Sequence, residues 1–312
     1  MQLVRGLHNV KSQFINGCVA TIGNYDGVHL GHQEILNLVK KKSEELKLPS
    51  VVVIFEPQPE EFFTGGKSQR LSSLREKILL LRQQGVDKIL LLPFNAHFTT
   101  ITASQFIAEI LVKVLHIRHL VIGDDFVFGH KRAGGFSLLQ QEAVSGGFQV
   151  TMVDSFKIDG VRISSSLIRI ALLQGNLDIA TKFLGRPYRV SGIVVHGDQL
   201  GRNLGFPTAN ICLKWRELPL AGVYTVKVYD LTPIPLLGIS NIGFRPTVSS
   251  RQRLFEVYIL DFSSDIYGKR ATVEFCKRVR DEQKFSSLAE LQLQIKKDVV
   301  VARELFKTEI MD

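Results

Sequence analysis

The spacing of apolar residues changes near residue 185, and this change constrains the fold of the 312-residue chain more than any other feature. Before it, stretches with helical periodicity alternate with short apolar runs, among them "CVATIG", "SVVVIFEP" and "KILLLPF". Such β-rich runs separated by helices are typical of a parallel sheet with helices on both faces. We therefore predict a doubly wound α/β domain for the first half. Its first helix should bury a stripe formed by Ile35, Leu36, Val39, Ser43 and Leu46.

After the change, strand-like runs follow one another with turn residues and no helices between them, as in "GVYTVKVYD" and "RLFEVYILDF". This pattern predicts an antiparallel sheet or a small barrel. A helix beginning near Ser286 should pack against it through Leu288, Leu291, Ile295, Val299 and Ala302. We place the domain boundary at Arg186, just before Pro187, which gives domains 1–185 and 186–312.

The formal charge of +9 and the pI near 9.5 favour anionic partners, which include nucleic acid, membrane surfaces and phosphorylated small molecules. The basic run "KKKSEELK" contains two glutamates and is interpreted as a solvated helix face. We expect a cytoplasmic protein because the chain has no apolar run of membrane-spanning length and no secretory signal at its start. Cys18, Cys212 and Cys276 form no CxxC pair and are predicted to be core thiols.

The stretch "GNYDGVHLGH" follows the first predicted strand and opens the first helix. Its glycines permit a tight turn, and a helix N-terminus offers unpaired N–H groups to an anion. His29 and His32 lie three residues apart, so both can face the same anion. The arrangement suits a triphosphate, with the remaining phosphate-binding candidates being Gly23, Asn24, Asp26, Gly27 and Gly31.

Other interpretations of this stretch, and other motifs of the chain, have less support. The two histidines could bind zinc, but no third ligand lies nearby in the sequence. Isolated histidines are usually structural, which is the expectation for His8, His97, His116 and His119. The "GGKS" run is not a P-loop because Glu61 stands where that motif needs glycine, and no G-x-G-x-x-G is present.

The H-x-G-H turn resembles that of the Rossmann-like nucleotidylyltransferase superfamily. With "FEPQP", "GDDFVFG" and "ISSSLIR", the first half resembles the adenylyltransferase module of bacterial bifunctional riboflavin kinase/FAD synthetases. The resemblance implies that the histidines hold ATP while a second phosphate attacks the α-phosphorus and pyrophosphate leaves. This chemistry needs positioning and charge neutralisation, not a protein nucleophile. It further implies that Arg169 reaches the pyrophosphate and that flavin is bound by Asp125, Phe126 and Phe128. Three serines at the start of a helix could either cap it or bind phosphate: Ser164, Ser165 and Ser166.

In the second half, "GDQLGRNLGFPTANI" combines three glycines and a proline with two neutral oxygen donors, Thr208 and Asn210. Such oxygens suit Mg²⁺ beside substrate phosphates. The loop resembles that of riboflavin kinase, a six-stranded antiparallel barrel, and the match continues through "NIGFRPT", "FEVYILDF" and "IYGK". The resemblance implies that Glu256 accepts the proton of the riboflavin 5′-hydroxyl. It also assigns ATP or phosphate to Gly201, Arg202 and Thr208, Mg²⁺ to Thr208 and Asn210, and flavin to Arg245.

The assignment of family roles to this sequence is less direct at two arginines and at four positions that depart from the family pattern. Arg245 and Arg280 could each simply pair with a surface carboxylate. Tyr25 stands where the family usually has Phe, and Phe244 where Thr is frequent. Gln58 and Tyr258 each replace a common His.

The sequence thus predicts a cytoplasmic enzyme that phosphorylates riboflavin to FMN and adenylylates FMN to FAD, with Mg²⁺ needed in both steps. Its expected ligands are ATP, riboflavin, FMN, FAD and pyrophosphate, without nucleic acid or membrane, and its oligomeric state is left open. One alternative is a nucleotidylyltransferase for another phosphorylated acceptor, fused to a flavin-binding barrel. The other is a synthetase-like RNA-binding protein, which the basic pI permits. Against it stands the lack of a "KMSKS"-type loop and of an aromatic stacking stripe.

Overall fold

The computed structural model describes residues 1–10, 13–66, 69–197, 200–213, 217–246 and 251–311. Lys67 and Ser68 of the "GGKS" run lie outside the described residues. Contacts divide the chain into two compact units. The first comprises Met1–Ser68 and Ser72–Ser165, and the second comprises Gln69–Leu71 and Ser166–Asp312. The division at Arg186 stays a prediction.

A six-stranded parallel sheet forms the centre of the first unit, in the order β1-β4-β3-β2-β5-β6. Its strands are β1 Gln2–Arg5, β2 Cys18–Ile22, β3 Ser50–Glu56, β4 Lys88–Pro93, β5 Ile117–Gly123 and β6 Gln149–Val153. A short antiparallel hairpin, β7 Lys157–Ile158 and β8 Val161–Arg162, follows. The predicted doubly wound parallel fold is confirmed.

Both faces of this sheet are buried, which explains the unbroken apolar run of β3. Val51 and Val53 belong to the apolar cluster on one face, and Val52 and Ile54 belong to the cluster on the other. The helices of the first unit are α1 Leu30–Leu46, α2 Pro59–Thr64, α3 Leu74–Gln83, α4 Ala96–Thr99, α5 Ala103–Gln105 and α6 Phe136–Gly146. Helix α7, Ser165–Leu173, begins at the last residue of this unit, and α8, Leu177–Leu184, belongs to the second unit. Helix α5 continues as a π-helix, Phe106–Val114, and 3₁₀ turns span Leu7–Asn9 and His130–Arg132.

The predicted stripe of α1 is correct except at its end. Leu36, Val39 and Ser43 are buried, whereas Leu46 is 44% exposed. Leu46 is the last residue of the helix, next to the left-handed C-cap Lys47, so it extends the periodicity to a position that the core covers only in part.

The strand order changes direction at β2. Strands β3 and β4 lie on one side of β2, and β5 and β6 lie on the other. Ligands in open α/β sheets bind in the crevice at such a switch point, beyond the carboxyl ends of the strands. The histidine turn follows β2, and the "GDD" segment follows β5, so both lie at this edge.

The second unit contains a closed six-stranded antiparallel barrel in the order β10-β13-β12-β11-β14-β9, as predicted. Its strands are β9 Arg189–Val195, β10 Thr208–Cys212, β11 Gly222–Tyr229, β12 Leu236–Pro246, β13 Arg251–Ile259 and β14 Arg270–Arg280. The short helix α9, Leu200–Asn203, lies between β9 and β10, and the long helix α10, Leu288–Met311, follows the barrel.

Helix α10 packs on the outside of the barrel, as predicted. Ala302 and Phe306 are buried against Val223 and Ile239, with Val299 packed beside them. The expectation for Leu288 is wrong: it is 57% exposed, because it is the first residue of the helix, beyond the face that the barrel covers.

The three cysteines are free, and only Cys18 is fully buried. Its thiol donates to the carbonyl oxygen of Leu115, and burial raises its pKa to about 12. Cys212 and Cys276 are half-buried, so the description as core thiols is correct in full only for Cys18.

Candidate active sites

The backbone of the histidine turn is strained. φ is positive at Tyr25 (48°), Gly27 (77°) and Val28 (40°). Glycine tolerates this region, but a β-branched residue such as Val28 rarely adopts it. Conformations of this kind cost on the order of 1–3 kcal/mol each and persist only where neighbouring contacts impose them.

The turn brings the two predicted histidines together at the start of α1. His29 is the N-cap of this helix, and its Nδ1 accepts a hydrogen bond of 3.3 Å from the backbone N–H of His32. The two imidazole rings stack with centroids 3.6 Å apart. Because Nδ1 of His29 is the acceptor, a neutral His29 carries its proton on Nε2, which becomes the donor of that ring. A Cβ added at Gly31 would lie 3.3 Å from the His29 ring, so glycine there allows the close packing.

Tyr25, which replaces the family's usual Phe, packs against the histidine pair. Its ring centroid lies 4.8 Å from that of His32, and its hydroxyl shares a 2.7 Å hydrogen bond with Oγ1 of Thr21 on β2. Both side chains are buried, and burial raises the pKa of Tyr25 above its ordinary value. A buried hydroxyl needs a partner, and Thr21 supplies it where the family's usual Phe would need none.

Asp26 and Ser72 hold the same turn from the side. The Asp26 carboxylate is 1% exposed, and its Oδ1 accepts hydrogen bonds from the backbone N–H (3.0 Å) and the hydroxyl (3.2 Å) of Ser72. The Ser72 hydroxyl in turn accepts from the N–H of Gly27 at 2.9 Å. Ser72 was not predicted, because its contact with Asp26 joins positions 46 residues apart.

The predicted serines divide between the turn and α7. The hydroxyl of Ser165 donates to the carbonyl oxygen of Asp26 at 3.0 Å, which ties the start of α7 to the turn. Ser164 is half-buried just before the helix. Ser166 is exposed, and Arg169 lies one turn further along α7, in the second unit.

Asp125 pairs with a cation that sequence reasoning missed. Nη2 of Arg162 on β8 lies 2.5 Å from Oδ2 of Asp125 and 3.7 Å from Oδ1 of Asp124. Hydrogen bonds from the hydroxyl and N–H of Ser155 lower the pKa of Asp124. The guanidinium therefore lies beside two carboxylates at the edge where ligands are expected.

Phenylalanines also gather at this edge. Phe126 and Phe128 stack at 5.4 Å, but Phe128 is only 9% exposed and belongs to the core cluster. A second group was missed: Phe62 (37% exposed) and Phe63 (71%) on α2 both pack edge-on against Phe94, which follows β4.

Gln58 lies at the start of α2, and its side chain is 1% exposed. Among the described residues, its Nε2 has no hydrogen-bond partner. A buried amide donor without a partner costs free energy of folding. A ligand that offers an acceptor at this position would remove that cost.

In the barrel, the register brings the predicted kinase residues into one row. Asn210 on β10 lies opposite Glu256 on β13, and Glu256 lies opposite Asn241 on β12. Residues directly opposite each other in antiparallel strands point to the same face. Thr208, two residues before Asn210, lies on this face as well. The structure thus brings Thr208, Asn210 and Glu256 together, and it adds Asn241, which was not predicted.

Two glycines shape the loop around this row. A Cβ at Gly197 would lie 2.2 Å from Nδ2 of Asn210, so this side chain packs directly on the glycine backbone. A Cβ at Gly201 would lie 2.4 Å from the carbonyl oxygen of Phe206 and 3.3 Å from Oγ1 of Thr208. The cradle presents neutral oxygens, and these donors fit Mg²⁺ that is also bound by substrate phosphates. Within the described residues, no group of three or more His, Cys, Asp and Glu side chains could hold a metal ion by itself.

The structure shows the contacts of some of the arginines and family departures in the barrel domain. Arg280 forms a two-pronged ion pair with Asp298 of α10, with nitrogen to oxygen distances of 2.8 to 3.0 Å, so it is a structural residue. Tyr258 packs edge-on against Phe206 at 5.4 Å. Arg202 is exposed on α9. The side chains of Phe244 and Arg245 lie outside the described part of the chain.

The four histidines expected to be structural differ in their burial. Three of them, His8, His97 and His116, are exposed. His119 is buried in β5, where its Nε2 shares a 2.8 Å hydrogen bond with Oγ1 of Thr151.

Two family models match the chain in succession, FAD synthetase over residues 11–167 and riboflavin kinase over residues 184–306. With the parallel sheet and the barrel, they define a two-domain transferase that joins an FAD synthetase domain to a riboflavin kinase domain. Proteins named bifunctional riboflavin kinase/FMN adenylyltransferase are similar over nearly the full length. Those of Escherichia coli K12 and Pseudomonas fluorescens are 46% and 47% identical, each over 98% of both chains. The chain belongs to the bifunctional riboflavin kinase/FMN adenylyltransferase family.

A solved structure has the same fold. It is described as a macrolide-efflux protein from Streptococcus pneumoniae, and it superposes with a TM-score of 0.81 and 31% identity over 96% of this chain and 98% of its own. In the described residues of the present chain, no helix is both long and apolar enough to cross a membrane.

Proposed function

We propose that this chain phosphorylates riboflavin to FMN in its barrel and transfers AMP from ATP to FMN on its parallel-sheet domain, releasing pyrophosphate. The observation that carries the proposal is the assembly of two separate polar sites, each on the matching fold. His29 stacks on His32 at a helix N-terminus, and Glu256 lies opposite Asn210 in a barrel. We assign adenylyl transfer to residues 1–185 and phosphorylation to residues 186–312.

In adenylyl transfer, a phosphate oxygen of FMN forms a bond to the α-phosphorus of ATP, and the bond from this phosphorus to the bridging oxygen of the pyrophosphate breaks. Nε2–H of His29, the ring of His32 and the N–H groups at the start of α1 stabilise the negative charge that builds up on the phosphates. Gly23, Asn24, Gly27, Gly31, Ser164, Ser165, Ser166 and Arg169 are the further proposed phosphate contacts. Asp26 acts by holding the turn, since its buried carboxylate already accepts from Ser72.

The aromatic groups provide the proposed flavin surface of this domain. Isoalloxazine is flat and apolar on its faces, so it packs well on exposed aromatic rings. Phe62 and Phe63 offer more accessible ring surface than Phe128, which is largely core. Phe126 and the carboxylate of Asp125 complete the proposed set, and Nε2 of Gln58 is available to a flavin acceptor.

In the kinase reaction, Glu256 accepts the proton of the riboflavin 5′-hydroxyl while that oxygen bonds to the γ-phosphorus and ADP leaves. Gly201 and Arg202 contact the nucleotide phosphates, and Arg245 is the proposed flavin contact. Thr208 and Asn210 would hold Mg²⁺. The ion, when bound, neutralises phosphate oxygens.

The test is to incubate the purified protein with riboflavin, ATP and Mg²⁺ and to separate the flavins by chromatography. We expect both FMN and FAD, and we expect neither when the metal is chelated. Unchanged riboflavin would contradict the kinase assignment. FMN that accumulates without FAD would favour another phosphorylated acceptor for the first domain. RNA binding with strong salt dependence but no flavin turnover would favour the RNA-binding alternative.

A cytoplasmic location and the absence of nucleic-acid and membrane partners stay predictions of the sequence. Positive charge agrees with the anionic ligands proposed for both sites.

A further inference from the structure

We propose that Ser72 is a positioning residue for adenylyl transfer, because it fastens Asp26 and Gly27 of the strained turn that carries His29 and His32. Ser72 acts through this turn, since its hydroxyl bonds to the N–H of Gly27 and to the carboxylate of Asp26. The inference rests on the proposed adenylyl transfer and adds a residue on which its rate depends.

Ser72 makes three hydrogen bonds to two adjacent residues of the turn. Its N–H and hydroxyl both donate to Oδ1 of Asp26, and its oxygen accepts from the N–H of Gly27. The hydroxyl therefore acts as donor and acceptor at once. These two bonds fix its rotation and set the distance between the segment that holds Ser72 and the histidine turn.

Water cannot replace these bonds readily. Ser72 is 3% exposed and Asp26 is 1% exposed, and Gly27 is buried. Removal of the hydroxyl would take this acceptor from the buried N–H of Gly27 and one donor from the buried carboxylate of Asp26. The turn stores strain at Tyr25 and Val28, on either side of Gly27, so it will relax towards ordinary φ values once a restraint is lost.

Relaxation at Gly27 reaches the imidazoles through a short, continuous path. Gly27 is two residues from His29, which caps α1 and stacks on His32. A change of φ at Gly27 or Val28 moves the cap, and the cap orients Nδ1 of His29 towards the N–H of His32. Displacements of about 1 Å in catalytic groups can cost on the order of a hundredfold in rate.

The neighbouring residue is a matched control. Ser73 is the N-cap of α3, and its hydroxyl accepts from the N–H of Glu76 at 3.2 Å within a capping box. Ser73→Ala therefore removes the same group from the next position and weakens the start of α3, where the Ser73 hydroxyl acts as the cap. The second control is internal, since riboflavin phosphorylation belongs to the other unit of the same chain.

The experiment compares Ser72→Ala, Ser73→Ala and the unaltered full chain in both reactions. For Ser72→Ala we expect kcat of FAD formation from FMN to fall at least tenfold, with riboflavin phosphorylation within twofold. For Ser73→Ala we expect both activities within twofold. Hydrogen exchange should be faster over residues 23–32 in Ser72→Ala and unchanged there in Ser73→Ala. Ser72→Cys keeps nearly the same volume but hydrogen-bonds weakly, so it should lower kcat in the same direction even if the alanine variant does not fold.

Three results would overturn the inference: unchanged adenylyl transfer in Ser72→Ala or Ser72→Cys, an equal loss of both activities, or an equal loss in Ser73→Ala. Failure of the proposed function gives a different result, because the unaltered chain would then form no FAD from FMN and ATP.

Discussion

Replacement of Gly197 by alanine should abolish most of the kinase activity without unfolding the barrel. The new Cβ would lie 2.2 Å from Nδ2 and 2.5 Å from Cγ of Asn210, well inside van der Waals contact. Gly197 does not have a positive φ, so the alanine backbone itself is unstrained. The flexible Asn210 amide can rotate away at small cost in stability, but it then leaves its place opposite Glu256.

The size of the effect follows from this distance. Ordinary contact between such atoms begins near 3.4 Å, so the Asn210 amide must move by more than 1 Å. A displacement of about this size in a substrate-positioning group can cost on the order of a hundredfold in rate. We therefore expect riboflavin phosphorylation to fall about a hundredfold, while adenylyl transfer to supplied FMN and the melting temperature of the protein change little.

Gly192→Ala is the matched comparison on β9. Its Cβ would lie 2.4 Å from Cγ2 of Ile211 and 2.7 Å from the backbone oxygen of Cys212. A backbone atom cannot rotate away, so this variant should lose roughly 1–3 kcal/mol of stability through overpacking. Kinase assays and thermal denaturation of the two variants separate the effects. If Gly197→Ala kept full kinase activity, Asn210 would not act in this reaction as proposed.

Three further predictions concern stability. Tyr25→Phe and Thr21→Val should each lower the free energy of unfolding by about 1 kcal/mol. In a denaturant-unfolding cycle, the double variant should lose less than the sum of the two, because it removes both partners of the buried hydrogen bond. Strictly additive losses would argue against this hydrogen bond. Asp298→Ala should cost about 3 kcal/mol because it leaves Arg280 largely buried without its carboxylate; a loss below 1 kcal/mol in the same assay would contradict this. Burial lowers the pKa of His119 below its usual value of about 6.5. The unfolded chain therefore binds the extra proton first as the pH falls, and stability should decrease below about pH 6.5. His119→Gln should flatten this part of the pH profile of the melting temperature, and an unchanged profile would refute the assignment.

The sequence predicts the elements of this protein because each half has an unbroken pattern. Val51 to Ile54 are all apolar since the strand is covered on both faces, and this signal is local. The errors fall at helix ends. Leu46 and Leu288 fit the periodicity, but coverage by a neighbouring element decides burial, and neither is covered.

The candidate sites are predictable where a motif is continuous in sequence and unpredictable where it is not. His29 and His32 lie in one turn, so their spacing alone places them together. Ser72 joins the site through tertiary contacts, and Asn241 joins Glu256 through strand register, which sequence periodicity does not specify.

The departures from the family pattern are explained by tertiary contacts, which the sequence alone does not show. Tyr25 needed the position of Thr21, and Tyr258 needed that of Phe206. Arg280 had two open interpretations, and its ion pair with Asp298 decided between them.

The central claim is that two independent sites carry out two successive reactions, and Glu256→Gln tests it most directly. Glutamine keeps the shape of the side chain but cannot accept the proton of the 5′-hydroxyl. With riboflavin and ATP, FMN formation should fall by at least a hundredfold, in the range typical of general-base loss. With FMN supplied, FAD formation should continue at the rate of the unaltered protein. Loss of both activities, or undiminished FMN formation, would contradict the account.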